Sequence, residues 1–105
     1  MTNEPRWGLT LGQAAAPGTG SVAVRGRLSR ANAPRLMEAI ELAIAAGERQ
    51  ITLDLQGVDY VSSTALQVLS ELAARLQALG GRLVLTDVQP PVRIALELAG
   101  LRLHA

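Results

Sequence analysis

Residues 50–69 change their hydrophobic period in mid-stretch, and that change limits the folds open to the chain. Ile51, Leu53 and Leu55 alternate with Thr52 and Asp54, the period of two that a strand with one buried face requires. From Ala65 onward the apolar residues recur every three or four: Leu66, Leu69, Leu72, Ala73, Leu76 and Leu79. Gln67, Ser70, Glu71, Arg75 and Gln77 fill the opposite side, as on an amphipathic helix. Between strand and helix stand Gly57, the segment Val58-Asp59-Tyr60-Val61, and a row of hydroxyls, Ser62, Ser63 and Thr64. A strand feeding a helix in this way needs a right-handed crossover, with the helix packed on the sheet and the next strand parallel.

The flanking segments supply the other elements. Arg6–Leu11 and Ser21–Leu28 read as two strands around the turn-forming residues 13–20, a hairpin with a long loop. Asn32 offers an N-cap and Pro34 suits a first helical turn. Leu36, Met37, Ile40, Ala43 and Ile44 then mark the buried side of a helix that Gly47 ends, with Arg35, Glu38 and Glu41 outside. After the central helix, Gly80-Gly81 stops the chain and Arg82–Thr86 forms a further strand. Pro90-Pro91 opens a last helix through Val92, Ala95, Leu96 and Ala99, closed by Gly100. The predicted order is β-β-α-β-α-β-α: an α/β domain with a mixed four-stranded sheet and packed helices. At 105 residues, without an internal repeat or linker, the chain reads as one domain over 1–105, enough for one modest core. Aromatics are only 2% against 49% apolar residues, so Leu, Val, Ile and Ala must build that core. Trp7 is expected to pack rather than to bind a ligand.

Several chemistries find no support. The net charge is +1 with no long basic run, which gives no electrostatic reason for a nucleic-acid partner. The chain has no cysteine, hence no thiolate metal site or Cys nucleophile. No apolar run approaches a membrane span or a signal peptide, so a cytoplasmic location is expected. The single histidine, His104, stands at the chain end, a poor place for a base that must be held against a nucleophile. Metal-ligand spacing and a phosphate loop are both missing. Asp54, Asp59 and Asp87 stand near strand ends, where α/β sheets bind ligands, but a phosphoacceptor-aspartate receiver also needs a lysine, and the chain has none. The expectation is a non-enzyme without cofactor or metal.

The hydroxyl row remains, and it has two readings. A hydroxyl at a strand-to-helix junction can cap the helix by accepting a backbone N–H. The same helix N-terminus, with free N–H groups and partial positive charge, tolerates a phosphate. Phosphorylation there would add about −1.5 to −2 charges to a neutral surface and repel a docked partner.

At these residues the chain resembles the STAS domain family, and within it the bacterial anti-sigma-factor antagonists. Asp54-Leu-Gln-Gly-Val-Asp-Tyr-Val-Ser-Ser63 is similar to the family's "DLSGVDFIDSSGLGVL" signature and its "YISSAGLRVLL" variant, with Leu66, Val68 and Leu69 at the positions that follow. Gly26-Arg27-Leu28 resembles "GELD", and Ala33-Pro34-Arg35-Leu36 resembles "APEL". Residues 80–85 and 91–101 resemble "GGRLVL…PAVRRLLELTGL". The likeness covers residues 20–101, leaving 1–19 as an N-terminal strand and variable loop. The pattern departs at Ser62, where the signature has Asp, at Ala65, where it has Gly, and at Arg27 and Ser29, where "GELD" has acids.

The resemblance implies a STAS-type fold and a module that binds proteins. In the antagonists an anti-sigma factor with kinase activity binds the unmodified domain and phosphorylates it, and a serine phosphatase restores it. The phosphorylated serine aligns with Ser63; Ser62 and Thr64 are the neighbouring alternatives. The docking surface implied comprises Arg27, Arg30, Val58, Asp59, Tyr60, Val61, Ser62, Gln67, Ser70 and Glu71. A second reading is a STAS subunit that is never phosphorylated, a scaffold in a lipid-transport ABC system or a signalling complex. Nucleotide binding is a third reading, without a Gly-rich loop behind it.

Overall fold

A computed structural model of the chain describes residues 8–12 and 18–101. The elements run β1 (Gly8–Gly12), β2 (Thr19–Arg25), α1 (Ala33–Ala45), β3 (Gln50–Gly57), α2 (Ser63–Ala78), β4 (Arg82–Thr86) and α3 (Pro90–Leu98). The sheet order is β1-β2-β3-β4. β1 lies antiparallel to β2, with Leu9 opposite Val24. β3 is parallel to both its neighbours, Leu53 standing beside Val22 on one side and Leu85 on the other. The mixed four-stranded sheet expected from the two periodicities is the one observed.

Strand alternation sorts the sheet into two unlike faces. Val22 and Val24, Ile51, Leu53 and Leu55, and Leu85 point to one side and are buried. Ser21, Thr52, Asp54 and Thr86 on the other side are half-buried, while Ala23, Arg25 and Gln56 are exposed. Both crossovers step the same way along the sheet, and right-handed crossovers in one direction carry their helices to one face. The helices therefore share a single core: Leu36, Ile40 and Ile44 from α1, Leu69, Leu72 and Leu76 from α2, and Val92 and Leu96 from α3 join the strand residues there. α1 and α2 also touch each other, and Arg75 of α2 pairs with Glu41 of α1 across the surface.

The approach to β4 needs its second glycine. The Arg82 N–H donates to the Arg49 carbonyl at 2.8 Å, which brings residue 81 against the same peptide. A Cβ on Gly81 would collide with the Arg49 carbonyl.

The structure revises several boundaries. β1 runs one residue past Leu11, to Gly12; its expected start at Arg6, with Trp7 and His104, lies outside the described residues. β2 begins at Thr19 and ends at Arg25, short of Leu28, because the chain leaves the ladder at Gly26 (φ 91°). Leu28 instead forms an isolated parallel bridge to Val61. Asn32 precedes α1 as expected but makes no side-chain cap, since its own backbone is already helical (φ −95°, ψ −19°). Its side-chain amide donates instead to the Arg27 carbonyl at 2.6 Å. Leu79, assigned to the buried stripe of α2, is 45% exposed, and Ala99 lies exposed beyond the end of α3.

Candidate functional site: the loop between the third strand and the second helix

β3 ends against β2 at a backbone contact that only glycine permits. The Gly26 N–H donates to the Gly57 carbonyl at 2.9 Å. A Cβ on Gly57 would stand 2.8 Å from the Arg25 Cβ and 3.0 Å from its Cα. Past this point Val58 turns inward and is fully buried. Asp59 and Tyr60 stand outside, and Val61 packs half-buried against the core.

Two loops are then joined by backbone bonds. The Leu28 N–H donates to the Tyr60 carbonyl, and the Ser62 N–H donates to the Leu28 carbonyl, both at 2.9 Å. The connection between β2 and α1 therefore runs beside the loop between β3 and α2. The Arg27 guanidinium lies 4.6 Å from the centroid of the Tyr60 ring, a cation–π contact worth about 0.5–1 kcal/mol at an exposed site.

The three hydroxyls have separate positions. Ser62 is extended (φ −77°, ψ 164°), and its Oγ accepts the Ala65 N–H at 3.1 Å as the N-cap of α2. Ser63, the first helical residue, is exposed, and among the described residues its hydroxyl has no hydrogen-bond partner. Thr64 is half-buried. No acidic residue lies in the first turn of α2, so its N-terminal positive potential is not offset from within the helix.

Ser63 continues down one face of α2. Residues three and four apart share a helical face, so Gln67, Ser70 and Glu71 follow from it; Gln67 and Glu71 are exposed and Ser70 is half-buried. Arg27, Arg30, Asp59 and Tyr60 are exposed. Val58 has to be removed from the expected docking surface, because its side chain is sealed in the core. Ala65 also changes meaning: the methyl in the family's glycine position is fully buried, so it fills the core and faces no partner.

The carboxylates do not converge. Asp54 Oδ1 accepts the Gln56 N–H at 2.9 Å, closing its own turn, and no group of three or more potential metal ligands occurs among the described residues. A groove of about 720 Å³ lies away from Ser63, between β1–β2 and α1, lined by Leu9, Val22, Ala39 and Leu42 among others. One anchoring contact has no sequence signal: Gln89 Nε2 donates to the Gln56 carbonyl at 2.6 Å, tying the start of α3 to the end of β3. Its partner is 33 positions away and offers only a backbone atom, so no residue pattern announces the pair.

The fold and the loop together define a small mixed-sheet α/β domain that displays the exposed Ser63 hydroxyl at the start of its second helix. The chain belongs to the STAS domain family: the family model described as "Mlab, STAS domain" matches residues 11–102. It is 36% identical over 77 residues to BtrV of Bordetella bronchiseptica, which bears the name of an anti-sigma factor antagonist. That match covers 73% of this chain and 66%, just under two thirds, of BtrV. An anti-sigma factor antagonist from Mycobacterium paratuberculosis superposes with a TM-score of 0.75 at 24% identity, over 92% of this chain and 86% of that one. The Bacillus cell fate determinant SpoIIAA, in its phosphorylated form, gives 0.74 at 16% identity, over 93% and 92% of the two chains. These structural likenesses carry the fold.

Proposed function

We propose that this STAS domain is a partner-switching regulator of the anti-sigma factor antagonist kind, with Ser63 as the residue whose phosphorylation ends the interaction. The observation that carries this reading is the division of labour in the hydroxyl row. Ser62 is occupied as the helix cap, while Ser63 is exposed and unbonded at a helix N-terminus. The name borne by BtrV and the SpoIIAA structure in a phosphorylated form support the same role.

In this reading the domain acts by docking and performs no catalysis of its own. An anti-sigma factor with kinase activity docks on the surface bounded by Arg27, Arg30, Asp59, Tyr60, Val61 and the Gln67–Glu71 strip of α2. Transfer of phosphate to the Ser63 hydroxyl places a dianion in the middle of that contact. A serine phosphatase resets the domain, and the exchange takes place in the cytoplasm. In this reading the exposed Arg27 and Arg30 offer positive charge to the modified state.

The test is affinity capture from the source cell with the wild-type chain, Ser63→Ala and Ser63→Asp, read by mass spectrometry with phosphosite mapping. A kinase-type partner is expected with wild type and Ser63→Ala, reduced at least about tenfold with Ser63→Asp, equivalent to roughly 1.4 kcal/mol. Phosphate is expected on Ser63. Transporter or scaffold subunits held equally by all three, with Ser63 unmodified, would replace the switch by a constitutive STAS subunit.

A further inference from the structure

The last helix is apolar on both faces. Val92 and Leu96, four apart, are buried in the core. Ile94 and Leu98, also four apart, stand about 200° around the helix from them, and are 61% and 85% exposed. Pro91 is exposed on the same outer side. The exposed positions of α2 are dominated by Ser63, Gln67, Glu71, Arg75 and Gln77, as a solvated helix face should be. A helix with apolar residues on two opposite faces is ordinarily covered on both.

The charges beside this stripe indicate what covers it. Arg93 and Glu97 are the only charged residues in α3. They are one turn apart along one flank, and neither has an ion-pair partner among the described residues. Ala95 and Ala99, which are small, border the other flank. In an antiparallel pair of identical helices related by a twofold axis, each flank faces the same flank of its mate with the direction reversed. With the axis midway between the levels of residues 94 and 95, Leu98 lies level with Pro91 of the second copy, while Arg93 and Glu97 of opposite copies, and the two Ile94 residues, fall within one residue's rise of about 1.5 Å of each other; the alanines let the helices close.

We propose that the outer face of α3 is a self-association surface, on which a second copy of this chain docks through its own α3 in antiparallel orientation. The contact is short: nine residues of helix fall below the roughly 1,200 Å² of a standard stable interface. The dimer is accordingly weak and transient. The charge pairs set orientation and register more than affinity. This surface is separate from the Ser63 strip and does not depend on the switch proposed for it.

Sedimentation equilibrium of the whole chain from about 10 μM to 1 mM, at low salt, tests the proposal, since self-association must follow mass action. The wild type is expected to pass from monomer to dimer across that range, and Leu98→Glu to stay monomeric. Arg93→Glu alone, or Glu97→Arg alone, should weaken association at least about tenfold by placing like charges opposite each other twice. The double variant carrying both changes should recover it. Circular dichroism on each variant separates lost association from lost folding. A wild type that remains monomeric throughout overturns the proposal. So does a dimer indifferent to Leu98→Glu, or single charge reversals that the double variant does not rescue.

Discussion

Ser62 and Ser63 are the same residue type at adjacent positions, yet their substitution should have unequal consequences for stability. Ser62 Oγ holds the Ala65 N–H, and removing such a cap typically costs about 1 kcal/mol. Ser62→Ala should therefore lower the melting temperature by roughly 4–8 °C in a domain of this size. The Ser63 side chain is exposed and unbonded, so Ser63→Ala should change unfolding free energy by less than about 0.5 kcal/mol. Denaturant unfolding of the two variants separates the structural hydroxyl from the one available for modification. Equal losses in both would remove the geometric basis for choosing Ser63. Restoring the family's glycine at Ala65 is expected to destabilise. The methyl is fully buried inside α2, so Ala65→Gly should cost about 1–2 kcal/mol through helix propensity and lost burial.

At the scale of elements, the loop between β3 and α2 is stiffened by its neighbours rather than by its own sequence. Gly57 permits the approach to Arg25, Val58 anchors the loop in the core, and the bridge between Leu28 and Val61 joins it to the chain entering α1. Val58→Asp would place an unpaired carboxylate in that core. It should destabilise by more than about 3 kcal/mol, so loss of partner binding in that variant reports loss of folding. Asp59 and Tyr60 offer cleaner probes of docking because their side chains are exposed. Between α1 and α2, Arg75 and Glu41 are 50% and 45% exposed, and a pair so open to water contributes about 0–1 kcal/mol. Glu41→Gln should therefore shift stability by no more than about 0.5 kcal/mol, with the difference shrinking further in high salt.

Across the whole molecule, stability is concentrated in the two inner strands, β2 and β3, and above all in β3. β3 pairs on both edges and sends Ile51, Leu53 and Leu55, all fully buried, into the core. Its amides should be the last to exchange with deuterium, while those of the edge strand β4 exchange earlier. Leu53→Ala should cost about 2–5 kcal/mol, a large share of the roughly 5–15 kcal/mol that holds a domain together. Calorimetric or denaturant unfolding checks the second prediction, and exchange rates resolved by residue check the first. The two-residue and three-to-four-residue periods are local properties of the chain. They were enough to read the element order and the parallel pairing around β3 from the amino acids alone, while the STAS resemblance rested on the motifs from Asp54 to Ser63 and around them. The hydroxyl row was equally legible, since cap and phosphate site both belong to a helix start. Which serine caps the helix was not, because that depends on the backbone angles at Ser62 and on the turn of Val58 into the core. Asn32 shows the same limit: its residue type suits a cap, but a carbonyl at Arg27 was within reach and its own backbone was already helical. The exposure of Ile94 and Leu98 likewise escaped the sequence. Apolar spacing shows that a helix has faces to bury, but only the packed chain decides which face the core has room for.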